Sequence, residues 1–256
     1  MAELDLHRYQ GSAHFGPGYH YLYEHDSHAP GSVDRALLEE MLLVCAETET
    51  YLYTAFTPLE PHYRKGSRPA LEACVQKATE GCLSAEERIA AIARFTAGLG
   101  EYASDDMDLM RLGGTEEAII DRGSDWCTDL ARVGCVLFQI AGLPARIVML
   151  ADTAQAYSGH VITEAHRNGG WGAVDTTTGK VYVDADGCPV SAAAIRRTGQ
   201  QGQFRCVAVA NYFVWEAAKY TYTVSGINDY YRSILTKAQQ GWPGGLRWLH
   251  GEEACR

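Results

Sequence analysis

At 256 residues, with 46% hydrophobic, 10% aromatic and 21% charged residues, the chain can bury a sizeable core, which argues against a disordered, collagen-like or miniature protein. It is longer than a usual domain, so one large domain, or one domain with a helical appendage, fits better than two small independent ones. A net charge of −10 and a pI near 5.3 disfavour a surface built for nucleic acid or anionic membrane.

The amino terminus, MAELDLHRYQ, mixes acids with its apolar residues, so neither a secretory signal nor a membrane anchor is expected, and the protein reads as cytoplasmic. Residues 1 to about 30 are rich in Tyr, His and Gly without a sustained period and predict an irregular arm. From Ser32 or Asp34, apolar residues Leu37, Leu38, Met41, Leu42 and Cys45 recur at helical spacing until Pro58 and Pro61, predicting a helix. A second helix is expected from Ala70 to about Gly81. A third begins at Ser84, where Ser-x-x-Glu forms a capping box ahead of RIAAIARFTAGL.

Residues 113–125 cross polar ground. From Trp126 to Ala141 the chain is apolar on nearly all sides of a helix, which must therefore be central, and Gly142-Leu143-Pro144 closes it. The texture then changes to short β-branched segments, ARIVML, HVITEAH, GWGAV and KVYVD, separated by Gly, Asn and Asp, which predict strands. NYFVWEAAKYTYTV is strand or helix, and NDYYRSILTKAQQ is a helix ended by Gly241 and Pro243. The division read from these textures is a helical region over 1–105 packed on a core over 106–256.

Eight cysteines in a chain of this length, none in C-x-x-C spacing, read as mostly buried thiols rather than a disulfide or zinc framework. Cys127 stands apart. It follows Ser124-Asp125-Trp126 in the first turn of the central helix, where backbone N–H groups and the helix dipole favour a thiolate and an oxyanion formed by its attack on a carbonyl. Taken alone, it reads more readily as a small buried hydrophobe.

Its partners are suggested downstream. Asn168-Gly169 is a strong two-residue hairpin signal between HVITEAH and GWGAVD. With those two as the turn, Arg167 opposes Gly170 and Ile162 opposes Asp175, so His160 is a diagonal neighbour of Asp175 on the same face. A one-residue bulge would break that parity. Such an imidazole, oriented by a carboxylate and set beside Cys127, would complete a nucleophile, base and orienter.

At these residues the chain resembles the transglutaminase-like superfamily. DWCTDLARVGCVLFQIAGLPARIV is similar to its Cys-led helix ending in Gly-Ile-Pro-Ala-Arg. His160-x-x-x-Glu164 and Trp171-x-x-x-Asp175-x-Thr177 resemble its His-Ala-Trp-x-Glu and Trp-x-x-x-Asp-Pro-Thr segments, and DADGCPVSAAAI resembles the tail of bacterial members. The resemblance spans about residues 95–195. It departs from the pattern at Val161-Ile162, in place of Ala-Trp, and at Thr176, in place of Pro. It implies a papain-like α+β fold, a central Cys-bearing helix packed on an antiparallel sheet. By matching position it implies Cys127 as nucleophile, His160 as general base then acid, and Asp175 as the group orienting the imidazole.

The expected activity is acyl transfer through a thioester acyl-enzyme, with an amide or thioester donor, free or bound to a carrier protein, and an amine or water acceptor; no cofactor or metal is expected. An amide synthase or transamidase is slightly preferred to an amidase or peptidase, because a compact chain without secretion signals or wall-binding modules suits small-molecule biosynthesis. The alternative from another class is a non-catalytic binding module on the same fold. Trp126 either lines the substrate cleft or anchors the helix. Glu164 either tunes His160 or pairs with Arg146 or Arg167, and His166 is expected to be solvated. His20, His25 and His28 make a weak metal cluster, and the aromatic stretch Tyr212, Phe213, Trp215, Tyr220, Tyr222, Tyr230 and Tyr231 reads as core more readily than as a cleft wall.

Overall fold

The computed structural model describes residues 41–44, 46–60, 63–102, 114–152, 159–198 and 204–212. The amino-terminal arm, including His20, His25 and His28, and the aromatic stretch and expected helix beyond Tyr212 lie outside them. Among the described residues no helix is long and apolar enough to cross a membrane.

Strand β1 (Met41–Leu43) leads into α1 (Ala46–Thr54). Met41 and its neighbours, expected to be helical, are extended because they pair antiparallel with a late strand, Met41 opposite Ala210. For so short a segment, inter-strand hydrogen bonds outweigh a weak helical period. Helix α2 (Pro69–Ala78) follows with proline in its first turn, and α3 (Ala85–Gly98) starts at the expected capping box. Ser84 Oγ accepts from the Glu87 N–H at 3.1 Å, and the Glu87 carboxylate accepts from the Ser84 N–H at 2.9 Å.

The polar ground before the central helix holds a further helix, α4 (Glu116–Arg122), which Thr115 caps by accepting from the Ala118 N–H. Then come α5 (Cys127–Ile140), β2 (Ala145–Asp152), β3 (Gly159–Arg167), β4 (Gly170–Asp175), β5 (Lys180–Val181), α6 (Ala192–Thr198) and β6 (Phe204–Ala210). The strands form one antiparallel six-stranded sheet in the order β1-β6-β2-β3-β4-β5. The architecture is α+β, with the Cys-bearing helix packed on the sheet, as expected.

Both sheet faces are covered. On one, Leu130, Val133, Val136 and Leu137 of α5 meet Ile147, Val161, Ala165 and Val174, with Leu71 and Val75 of α2 and Ile89 and Ile92 of α3 closing the layer. On the other, Leu52 and Phe56 of α1 and its following turn, with Ala192 and Ile195 of α6, pack on Val148, Ile162, Ala173 and Val209. Helix α5 is thus buried along almost its whole length, which explains its unbroken apolar character.

Candidate active site

Three features set the start of α5. Gly123, with φ 74°, ends α4 in a conformation that glycine adopts without strain. The Ser124 N–H donates to Leu99 O at 3.2 Å, and Ser124 Oγ accepts from the Trp126 N–H at 3.1 Å while donating to Asp129 Oδ2 at 3.2 Å. Trp126 is the extended N-cap residue, so Cys127 is the first helical residue, where N–H groups lack intrahelical acceptors.

The hairpin folds in the expected register. Asn168 and Gly169 have φ of 49° and 77°, the turn geometry that matches strand twist, and Arg167 faces Gly170 while Thr163 faces Val174. His160 Nε2 lies 3.2 Å from Asp175 Oδ2. The other carboxylate oxygen accepts from the Thr177 and Thr178 N–H groups at 3.0 and 3.2 Å, so the turn after β4 fixes its orientation. His160 is also in hydrogen-bonding contact with Cys127. With Nε2 committed to Asp175, Nδ1 is the nitrogen left for sulfur.

Burial by itself would lower the His160 pKa. The hydrogen bonds and charges of Asp175 and Cys127 outweigh it and push the imidazole up to about 10. For Asp175, burial favours the neutral acid, but the bond and charge of His160, helped by Thr178, hold its carboxyl below the ordinary range. At neutral pH the pair is imidazolium and carboxylate. Cys127 is partly exposed, whereas Cys135, two turns along the same helix, is fully buried and its thiol is driven far upward by burial.

The fold therefore brings Cys127, His160 and Asp175 together. Trp126 is partly exposed and also packs against the core beneath it. Glu164 is not at this site: Arg146 Nε and Nη2 reach its Oε2 at 2.8 and 2.7 Å. His166 is half-buried, edge-on to Trp171 with centroids 5.3 Å apart, rather than solvated. Tyr212 is core. Its hydroxyl donates to Glu116 Oε1 at 2.6 Å.

Sequence reasoning missed a buried charge network beneath the start of α5. Asp129 Oδ2 accepts from Arg122 at 2.8 Å, and its Oδ1 lies 3.6 Å from Arg132 Nη1. Arg132 Nη2 donates to Glu116 Oε1 at 2.8 Å, and Arg68 Nη1 to Glu116 Oε2 at 2.6 Å. Burial alone would raise the Glu116 pKa, but the Arg132 and Arg68 charges hold it below the ordinary value. The available signal was Asp129 and Arg132, three residues apart on an otherwise apolar helix.

Residues 72–176 match the family model of the transglutaminase-like superfamily, which includes cysteine-dependent acyltransferases and proteases. No curated protein and no solved structure matches the chain.

Proposed function

We propose that the transglutaminase-like domain of this chain is a cysteine acyl-transfer enzyme that uses Cys127, His160 and Asp175 and forms or exchanges an amide bond. The observation that carries this reading is the His160 imidazole held between Asp175 and the Cys127 sulfur. An imidazolium beside a cysteine stabilises the thiolate, the nucleophilic form.

The thiolate attacks the carbonyl carbon of an amide or thioester donor, and the resulting oxyanion sits near the first-turn N–H groups of α5. As the tetrahedral intermediate collapses, the bond to the leaving group breaks and His160 donates its proton to that group. The acyl-enzyme is a thioester without charge on sulfur, so the charge contribution of Cys127 to the raised His160 pKa disappears. At neutral pH more of the imidazole is then unprotonated and available as a base. It takes a proton from an amine, or from water, as that acceptor attacks the thioester; Cys127 leaves as thiolate beside a restored imidazolium. Amide formation and hydrolysis differ only in the acceptor.

The test is intact-protein mass spectrometry of wild type and Cys127→Ala after exposure to activated acyl thioesters and to iodoacetamide at mildly acidic pH. One adduct, absent from Cys127→Ala, is expected. Indiscriminate or absent labelling would instead support a binding module. Product analysis with and without added amines separates the two chemistries, and free acid as the sole product under every condition would defeat amide formation.

A further inference from the structure

Helix α5 carries a glycine, Gly134, seven residues or about 10 Å beyond Cys127. Mid-helix glycine is unfavourable, and alanine would serve the helix better. The reason for glycine lies across the interface. A Cβ built at Gly134 would fall 2.4 Å from Thr176 Cγ2 and 3.4 Å from Thr176 Cβ, with the next neighbour, Phe138, at 3.8 Å. Thr176 is fully buried and directly follows Asp175. Among the described residues its hydroxyl finds no hydrogen-bond partner, so the residue contributes shape rather than polarity.

We propose that the contact between the bare Gly134 backbone and the Thr176 γ-methyl sets the separation between Cys127 on α5 and the His160–Asp175 pair, making Thr176 a positioning residue for acyl transfer. This rests on the reading of Cys127 as nucleophile. The helix lies on one side of the contact and the end of β4 on the other. Both substituents of the Thr176 Cβ are packed in a buried, β-branched side chain, so rotation gives little relief. A methyl at position 134 must displace α5 or residues 175–176 by about 1 Å, from 2.4 Å to an ordinary contact. Either movement opens the contact between sulfur and imidazole, and about 1 Å of misplacement costs on the order of 10²-fold in rate.

The experiment compares wild type, Gly134→Ala, Thr176→Ala and the double variant by the rate of Cys127 alkylation with iodoacetamide from pH 5 to 9, alongside thermal melting. Gly134→Ala should lose about 10²-fold in rate at the acidic end. Its rate should depend more steeply on pH than that of wild type, because imidazolium no longer adjoins sulfur. Thr176→Ala, which leaves a gap where the γ-methyl set the spacing, should lose rate to a smaller extent than Gly134→Ala, and the double variant, whose new methyl fills that gap, should recover the wild-type rate and profile.

A folded Gly134→Ala with wild-type rate and profile would overturn the proposal, as would a double variant as slow as Gly134→Ala. If Gly134→Ala does not fold, the double variant carries the test, since it regains fold and rate only where the γ-methyl is the obstacle. Absence of selective Cys127 alkylation in wild type would overturn the nucleophile assignment itself. A reactive wild type with no rescue overturns only the spacing.

Discussion

The charge state of His160 is set by two neighbours, Asp175 and Cys127, acting against burial. A histidine whose folded pKa lies above its unfolded value of about 6.5 stabilises the fold fully below that value, and the contribution is lost as pH rises through about 10. Asp175 works in the opposite sense: its contribution is present above the ordinary carboxylate range and is lost as pH falls through its depressed value. The His160 ring should therefore show no titration by NMR between pH 6 and 8.5, and Asp175→Asn should bring a titration step down into that window. A wild-type step near the ordinary histidine value would contradict the ion pair.

The two elements that carry the site are held by different forces. The β3–β4 hairpin gains its register from a local turn, with Asn168 and Gly169 in left-handed backbone geometry, and that register places His160 diagonal to Asp175. The start of α5 depends on buried charge, through Arg122, Ser124 and Arg132 on Asp129. Removing one partner from such a cluster leaves charge without compensation, so Asp129→Ala should lower unfolding stability by about 3–5 kcal/mol in urea titrations. Ser124→Ala, which removes one neutral hydrogen-bonding group, should cost nearer about 1 kcal/mol. Equal effects would show that the charges beneath the start of α5 are solvated rather than buried.

Across the molecule, the sheet is clasped from both faces, and one ion pair ties four elements behind the site. Arg146 lies between the rings of Tyr53 and Trp171, 4.7 and 4.0 Å from their centroids, while Glu164 Oε1 accepts from Tyr53 Oη at 3.0 Å and from the Ala192 N–H at 2.7 Å. Helix α1, strands β2 and β3, and the start of α6 thus share one buried carboxylate. Glu164→Ala should destabilise by about 3–5 kcal/mol, and a double variant, Arg146→Met with Glu164→Leu, should recover much of that loss in thermal melts because neither charge is then left alone. If the double variant melts no higher than Glu164→Ala, the hydrogen bonds to α1 and α6, rather than the ion pair, carry the clasp.

Much of this arrangement was legible along the chain. The Ser84 capping box, the all-round apolar α5, the Asn168-Gly169 turn and the parity of His160 with Asp175 all arise from interactions within a few residues, where propensity and turn chemistry act directly. Other features depend on chain segments far apart. Met41–Leu43 is a strand because β6 offers hydrogen bonds from residues some 165 positions later, which no helical period reveals. Glu164 pairs with Arg146 and not His160 because β2 lies beside β3 with those two residues opposed. Cys127 meets His160, and Gly134 meets Thr176, because helix and sheet pack at one fixed distance. Contacts between layers are a balance of shape, desolvation and charge among distant residues, and that balance exists only once the chain has folded.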